Sequence, residues 1–148
     1  MSWAVWITGV PGSGKSTLAR GAVQRLRAGG EPVHHLELDA VRKFLTPTPT
    51  YTDAEREVVY RALAYLARVL VEAGVPVVVD ATAHRRAWRD LARAVVPRFA
   101  EVQLLCPTDE ARRREASRGP GHAPPAIYAK AGRPGATVQS PPPGQKKQ

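Results

Sequence analysis

Gly9-Val10-Pro11-Gly12-Ser13-Gly14-Lys15-Ser16-Thr17 is the stretch of sequence that decides the fold. It matches the pattern G-x-x-x-x-G-K-[ST], in which glycines allow backbone N–H groups to curl around phosphates. The apolar, aromatic and β-branched run from Trp3 to Thr8 precedes it and predicts a buried strand. Apolar residues then recur at helical spacing from Lys15 to about Ala28. This strand, loop and helix predict a phosphate-binding loop, with the positive end of the helix adding to its field.

Each polar residue of this loop has an expected partner in ATP or its metal. Lys15 is expected to reach the β and γ phosphates and to act in catalysis, and the Ser16 hydroxyl to coordinate Mg²⁺. Thr17 lies one step deeper, toward the α phosphate. The residues predicted to bind the nucleotide are Gly9, Gly12, Ser13, Gly14, Lys15, Ser16 and Thr17.

The rest of the chain alternates between strand and helix patterns. This alternation predicts an α/β protein with the P-loop NTPase fold, a parallel β-sheet with helices on both faces. The predicted elements are a strand over Val33–Leu38 ending on Asp39, a helix capped by Asp53 and running through Ala73, a strand over Val75–Val79 ending in Asp80, a helix from about Arg86 to Val96, a strand over Glu101–Cys106 and a helix over Asp109–Ser117. The apolar face of the long helix is expected to include Val58, Ala62, Leu66, Val69 and Leu70.

The length of the chain fits one domain, because 148 residues are too few for two separate cores. We predict a kinase core over residues 1–118. Composition changes at Gly119, after which Gly and Pro dominate. Residues 119–140 are therefore predicted to form a lid-like segment, and residues 141–148 a disordered tail.

Charge and composition restrict the partners. A net charge of +9 favours an anionic partner, and a small phosphate-rich substrate fits as well as nucleic acid, which is left open but not favoured. No apolar run suggests a membrane span, so a cytoplasmic location is expected. Cys106 has no second cysteine to pair with, and the four histidines show no metal-binding spacing. A homodimer is also left open.

Two aspartates are candidates for the chemistry. Asp80 follows the aliphatic strand predicted over Val75–Val79, the arrangement of a Walker B acid that holds Mg²⁺. Asp39 can accept a proton from an attacking hydroxyl or position it. The alternative for either residue is a helix N-cap. Arg42, one turn after Asp39, could grip an anionic substrate.

WITGVPGSGKSTLA, LELDAVR and the helix after TDAER resemble the adenylyl-sulfate kinases, over roughly Met1 to Pro134. The resemblance implies an enzyme of sulfate assimilation that uses ATP and Mg²⁺ to phosphorylate the 3′-hydroxyl of adenylyl sulfate. It implies that Asp39 faces that hydroxyl and that Arg42 and Arg56 hold the phosphosulfate. It further implies that Phe44 lies near the adenine and that Lys130 belongs to a closing lid.

Departures from the family pattern keep other functions open. Val59 stands where the family has asparagine, and Ala81-Thr82-Ala83-His84 replaces Phe-Ile-Ser-Pro. The stretch VVVDAT resembles polynucleotide kinases instead. The C-terminal QSPPPGQKKQ indicates a truncated or diverged end. The alternatives are a polynucleotide or other hydroxyl kinase, or a nucleotide-binding module without turnover.

Overall fold

The computed structural model describes residues 2–117. Within this range, four parallel strands form one sheet in the order β2-β3-β1-β4, and five helices pack around it. The α/β architecture predicted from the sequence is confirmed. The elements are β1 (Ala4–Thr8), α1 (Lys15–Ala28), β2 (His34–Glu37), α2 (Leu38–Leu45), α3 (Asp53–Glu72), β3 (Val77–Asp80), α4 (Arg86–Val95), β4 (Phe99–Gln103) and α5 (Thr108–Ala116).

The register of the sheet brings the candidate site residues to one edge. Ile7 of β1 and Glu37 of β2 both lie beside Asp80 at the end of β3. Parallel strands end at the same edge, so the loops after β1 and β3 leave the sheet side by side. Ligands of open α/β sheets bind at this edge.

Alternation along the strands divides the core between the two faces of the sheet. Trp6 and Val79 belong to a large cluster packed against α3 and α4. Their neighbours Ile7 and Val78 face the other way, into a smaller cluster with the buried side of α1. This period of two is the reason that the strands, being buried on both faces, have nearly continuous apolar sequences.

The apolar face predicted for the long helix is wrong at three positions. Val58, Leu66 and Val69 are exposed, whereas Leu70 packs against the core. The buried residues of α3 are Arg56, Val59, Tyr60, Leu63, Ala64, Ala67 and Val71. Both sides of this helix are apolar, so helical periodicity alone could not select the side that packs.

Several predicted boundaries shift. The second strand ends at Glu37, and Asp39 lies in the first turn of α2 instead of closing a strand. Thr52, not Asp53, caps α3, because its Oγ1 accepts a hydrogen bond from the backbone N of Glu55 at 3.2 Å. The fourth strand is Phe99–Gln103, two to three residues earlier than predicted.

The predicted lid-like segment and tail, including Lys130, lie outside the described residues. Within residues 2–117, no helix is both long and apolar enough to span a membrane.

Candidate active site

The phosphate-binding loop adopts a tightly curled conformation. Gly12 and Gly14 have φ angles of +84° and +93°, which residues with a side chain rarely adopt. A Cβ added at Gly9 would lie 2.5 Å from Ser13 Oγ, so a side chain there would displace the Ser13 hydroxyl. Helix α1 begins at Lys15, with no side chain capping its first turn. Backbone N–H groups at this helix start, together with Lys15, suit a polyphosphate.

Helix α5 lies directly against the phosphate-binding loop. A Cβ at Gly12 would be 2.0 Å from the carbonyl oxygen of Ala111. Arg114 donates from Nη1 to the carbonyl of Gly12 at 3.5 Å and forms an ion pair with Glu110. The sequence showed only a basic cluster in α5. Its position over the loop explains why position 12 must be glycine.

Asp39, in the first turn of α2, is under the charges of residues from several elements of the site. It forms an ion pair with Arg42 at 3.1 Å, and the charges of Lys15 and Asp80 also act on it. Burial raises the pKa of Asp39, with a smaller raising effect from Asp80, while Arg42 and Lys15 oppose the shift. A carboxylate with a raised pKa is a better proton acceptor than an ordinary aspartate.

The predicted magnesium ligands fit the ion's chemistry. Asp80 is buried at the end of β3, and Ser16 is half-buried in the first turn of α1. No group of three or more His, Cys, Asp or Glu side chains suited to a metal occurs in residues 2–117. Mg²⁺ usually takes only one or two protein ligands and completes its shell with water and substrate phosphates. The pair Ser16 and Asp80 therefore suits Mg²⁺ held together with a nucleotide.

Arg42 and Arg56 are both buried, as an anion-binding role requires. Arg42 lies over the ring of Tyr51, with its Cζ 5.7 Å from the centroid. Arg56 is only 3% exposed, and its buried Nη2 has no hydrogen-bond partner among the described residues. Burial and the neighbouring charge of Arg42 lower the pKa of Arg56. Two adjacent buried guanidiniums with an unused donor have the charge and the N–H group that an anion needs.

The remaining two predicted substrate contacts have different outcomes. Phe44 lies on α2, and its side chain is 87% exposed. Its expected place near an adenine stays a prediction. Lys130 lies beyond the described residues.

The loop after β3 is held by side chains whose contacts were not predicted from the sequence. Ala83 is fully buried with φ +42°, and both of its backbone groups are held by side chains. Its N–H donates to Tyr60 Oη at 2.7 Å, and its carbonyl accepts from Arg89 Nη1 at 2.7 Å. Arg89 in turn pairs with Glu101 of β4. One signal was available, because Tyr60 follows Arg56 by one helical turn and must share its face.

A sequence model described as adenylylsulphate kinase matches residues 1–135. The chain belongs to this family. The probable adenylyl-sulfate kinase of Archaeoglobus fulgidus is 35% identical over 131 residues, 88% of this chain and 79% of the relative. The adenylyl-sulfate kinase of a Synechococcus strain is 39% identical over 111 residues, 75% of this chain and 63% of the relative. The chain thus spans about two thirds to four fifths of the length of these relatives.

A solved structure of the same family confirms the fold. The Mycobacterium tuberculosis APS kinase CysC in complex with AMPPNP and APS superposes with a TM-score of 0.72 at 31% identity. The match covers 88% of this chain and 73% of CysC. Members of the adenylylsulphate kinase family are ATP-dependent kinases. The resemblance read from the sequence is therefore confirmed at the level of family and fold.

Proposed function

We propose that this protein is an adenylyl-sulfate kinase that transfers the γ-phosphoryl group of ATP to the 3′-hydroxyl of adenylyl sulfate, in sulfate assimilation. One observation carries the proposal. Asp39 pairs with the buried Arg42 on the acceptor side and is also under the charges of Lys15 and Asp80 on the donor side. A single carboxylate joins the two half-sites, as phosphoryl transfer to a hydroxyl requires.

The transfer can be written with its proton. The acceptor hydroxyl oxygen attacks the γ-phosphorus of ATP, the bond from that phosphorus to the β,γ-bridging oxygen breaks, and ADP leaves. Asp39 accepts the hydroxyl proton, and its raised pKa favours that step. Lys15 and the loop N–H groups balance the charge on the phosphates. Arg42 and Arg56 orient the acceptor through its anionic groups.

Ser16 and Asp80 would hold Mg²⁺ in this site. The ion would supply charge neutralisation of the β- and γ-phosphate oxygens. Asp80 is buried beside Ile7 and Glu37 in the sheet register, which fixes its backbone at the site edge. Replacing Asp80 with asparagine should therefore raise the Mg²⁺ concentration needed for half-maximal ADP release.

An acceptor assay tests the proposed substrate. ADP release from ATP is measured with adenylyl sulfate, with a 5′-hydroxyl oligonucleotide and with water alone. We expect ADP release above the water background with adenylyl sulfate only. Phosphate transferred to the oligonucleotide alone would favour the polynucleotide kinase that VVVDAT suggested. ATP binding that depends on Lys15, without transfer to either acceptor, would leave a binding module without turnover.

A homodimer is the second part of the proposal. The outer face of α3 exposes Val58, Leu66 and Val69, an apolar stripe at helical spacing. Its charged neighbours pair within the helix, Arg61 with Glu57 and Arg68 with Glu72. The stripe is therefore flanked by a neutral set of charges although the chain carries +9. Light scattering during size-exclusion chromatography should give twice the mass of one chain, and a single-chain mass at all concentrations would refute the dimer.

A further inference from the structure

Tyr60 has a buried hydroxyl on the same helix as Arg56. It is 2% exposed and lies one turn after Arg56 on the inward face of α3. Its ring stacks on Trp88 with centroids 4.1 Å apart, and the indole N–H of Trp88 donates to Glu57. Burial and stacking on Trp88 fix the ring, so the position of the hydroxyl is determined by the fold.

The hydroxyl of Tyr60 accepts a hydrogen bond but donates none to the described residues. Its oxygen accepts the hydrogen bond from the Ala83 N–H, and the described residues offer no acceptor for its own proton. Burial raises the pKa of Tyr60 to about 12, so this proton is present at any physiological pH. A buried donor without an acceptor destabilises the fold. Such a group is retained where a ligand supplies the acceptor.

Arg56 has the same unmet need one turn away. Its Nη2 is buried and has no partner among the described residues. The charges of Arg42 and Arg56 both act on Tyr60, which places the three groups in one neighbourhood. These donors together match a tetrahedral oxyanion, which has several acceptor oxygens and a negative charge.

We propose that Tyr60 determines acceptor specificity by donating its hydroxyl proton to an anionic oxygen of the acceptor, beside Arg56. The acceptor class is a hydroxyl compound that carries a phosphate or sulfate ester. This inference rests on the proposed kinase function. It adds to that function a residue whose oxygen positions the loop after β3 while its proton reads the substrate. Substrate binding and loop position are thereby coupled through one hydroxyl.

Tyr60→Phe removes the hydroxyl and keeps the stacked ring. We expect the KM for adenylyl sulfate to rise about 10-fold, the loss of one hydrogen bond to a charged group. The KM for ATP should stay unchanged. Tyr65→Phe is the matched control, because Tyr65 lies on the same helix with 62% of its surface exposed. An unchanged acceptor KM in Tyr60→Phe, with wild-type protein active, would overturn the role of Tyr60 and leave the proposed function standing.

A purely structural role for Tyr60 would give a different pattern of melting temperatures and KM values. Arg89→Lys loosens Ala83 from its carbonyl side and leaves the Tyr60 proton in place. Melting temperature and both KM values are measured for each variant. The proposal requires that the acceptor KM rises much more in Tyr60→Phe than in Arg89→Lys when the two variants have lost the same amount of melting temperature. Equal rises, or a parallel rise in the KM for ATP, would assign the hydroxyl to loop support alone.

A binding measurement separates this inference from the kinase activity. If wild-type protein does not phosphorylate adenylyl sulfate, calorimetric titration with inorganic sulfate and inorganic phosphate replaces the kinetic assay. Binding several-fold weaker in Tyr60→Phe than in Tyr65→Phe supports the anion contact. Equal affinity in the two variants, or no binding to wild-type protein, overturns it.

Discussion

The loops that follow β1 and β3 leave the same sheet edge side by side, but they are held by different means. The donor region, residues 9–17, fixes its loop through its own backbone, with glycines at the two left-handed positions. The acceptor region comprises Asp39, Arg42, Arg56 and the loop 81–84. That loop places Ala83 in a left-handed conformation and holds it with Tyr60 and Arg89, which come from α3 and α4.

The difference shows where each half of the chemistry is encoded. A polyphosphate is bound by a local motif, because curled backbone N–H groups suit the phosphates of any nucleotide. An acceptor is distinguished by side chains that converge from separate elements. On the proposed function, substrate choice can change through a residue of α3 such as Tyr60 without disturbing the donor region.

The largest effect is expected at Asp39. Asp39→Asn removes the proton acceptor and should lower kcat by about 10²- to 10⁴-fold, with the KM for ATP nearly unchanged. Initial rates at saturating acceptor measure both. Asp90→Asn, on the exposed side of α4, is the control and should retain activity. Equal losses in kcat and in ATP affinity for Asp39→Asn would contradict a role confined to transfer.

A smaller effect, on ATP affinity instead of kcat, is expected at Lys15. Lys15→Ala removes a charged donor to the phosphates, so ATP affinity should fall about 10- to 150-fold. Calorimetric titration with a non-hydrolysable ATP analogue measures this loss, and binding of adenylyl sulfate should be much less affected. Arg20→Ala removes an exposed charge from the same helix and controls for net charge. A comparable loss in that variant would attribute the effect to long-range electrostatics.

The closeness of α5 to the donor region predicts a contrast between two glycines. Gly12→Ala places a methyl group against the Ala111 carbonyl and forces alanine to φ +84°, so it should destabilise by at least about 2 kcal/mol. Gly21→Ala lies within α1 and meets nothing within 4 Å, so it should stabilise by about 0.5–1 kcal/mol. Urea unfolding checks both. Tolerance of alanine at position 12 would mean that α5 yields.

The donor region could be predicted from the sequence more completely than the acceptor region. The loop from Gly9 to Thr17 and helix α1 were predicted with their observed bounds, because local chemistry specifies both. The inward face of α3 was not, since apolar residues line both sides of that helix and only tertiary packing selects one. The two hydrogen bonds that hold Ala83 could not be predicted for a related reason. Tyr60 lies 23 residues before Ala83 and Arg89 lies 6 residues after it, and neither spacing belongs to a local motif.

The smallest effect concerns stability and pH at Asp39. Its pKa is raised by burial, so its stabilising contribution is fully present below the pKa of the unfolded chain. That contribution is lost as pH rises through the pKa that Asp39 has in the folded chain, and the ionised carboxylate then destabilises the folded state. Asp39→Asn cannot ionise, so its melting temperature minus that of wild type should become more positive from about pH 3 to about pH 7. The side chain is 47% exposed, which limits the change to about 2 °C. A difference that falls with pH would mean that the attraction of Arg42 and Lys15 outweighs burial, and the raised pKa that favours proton acceptance would then be wrong.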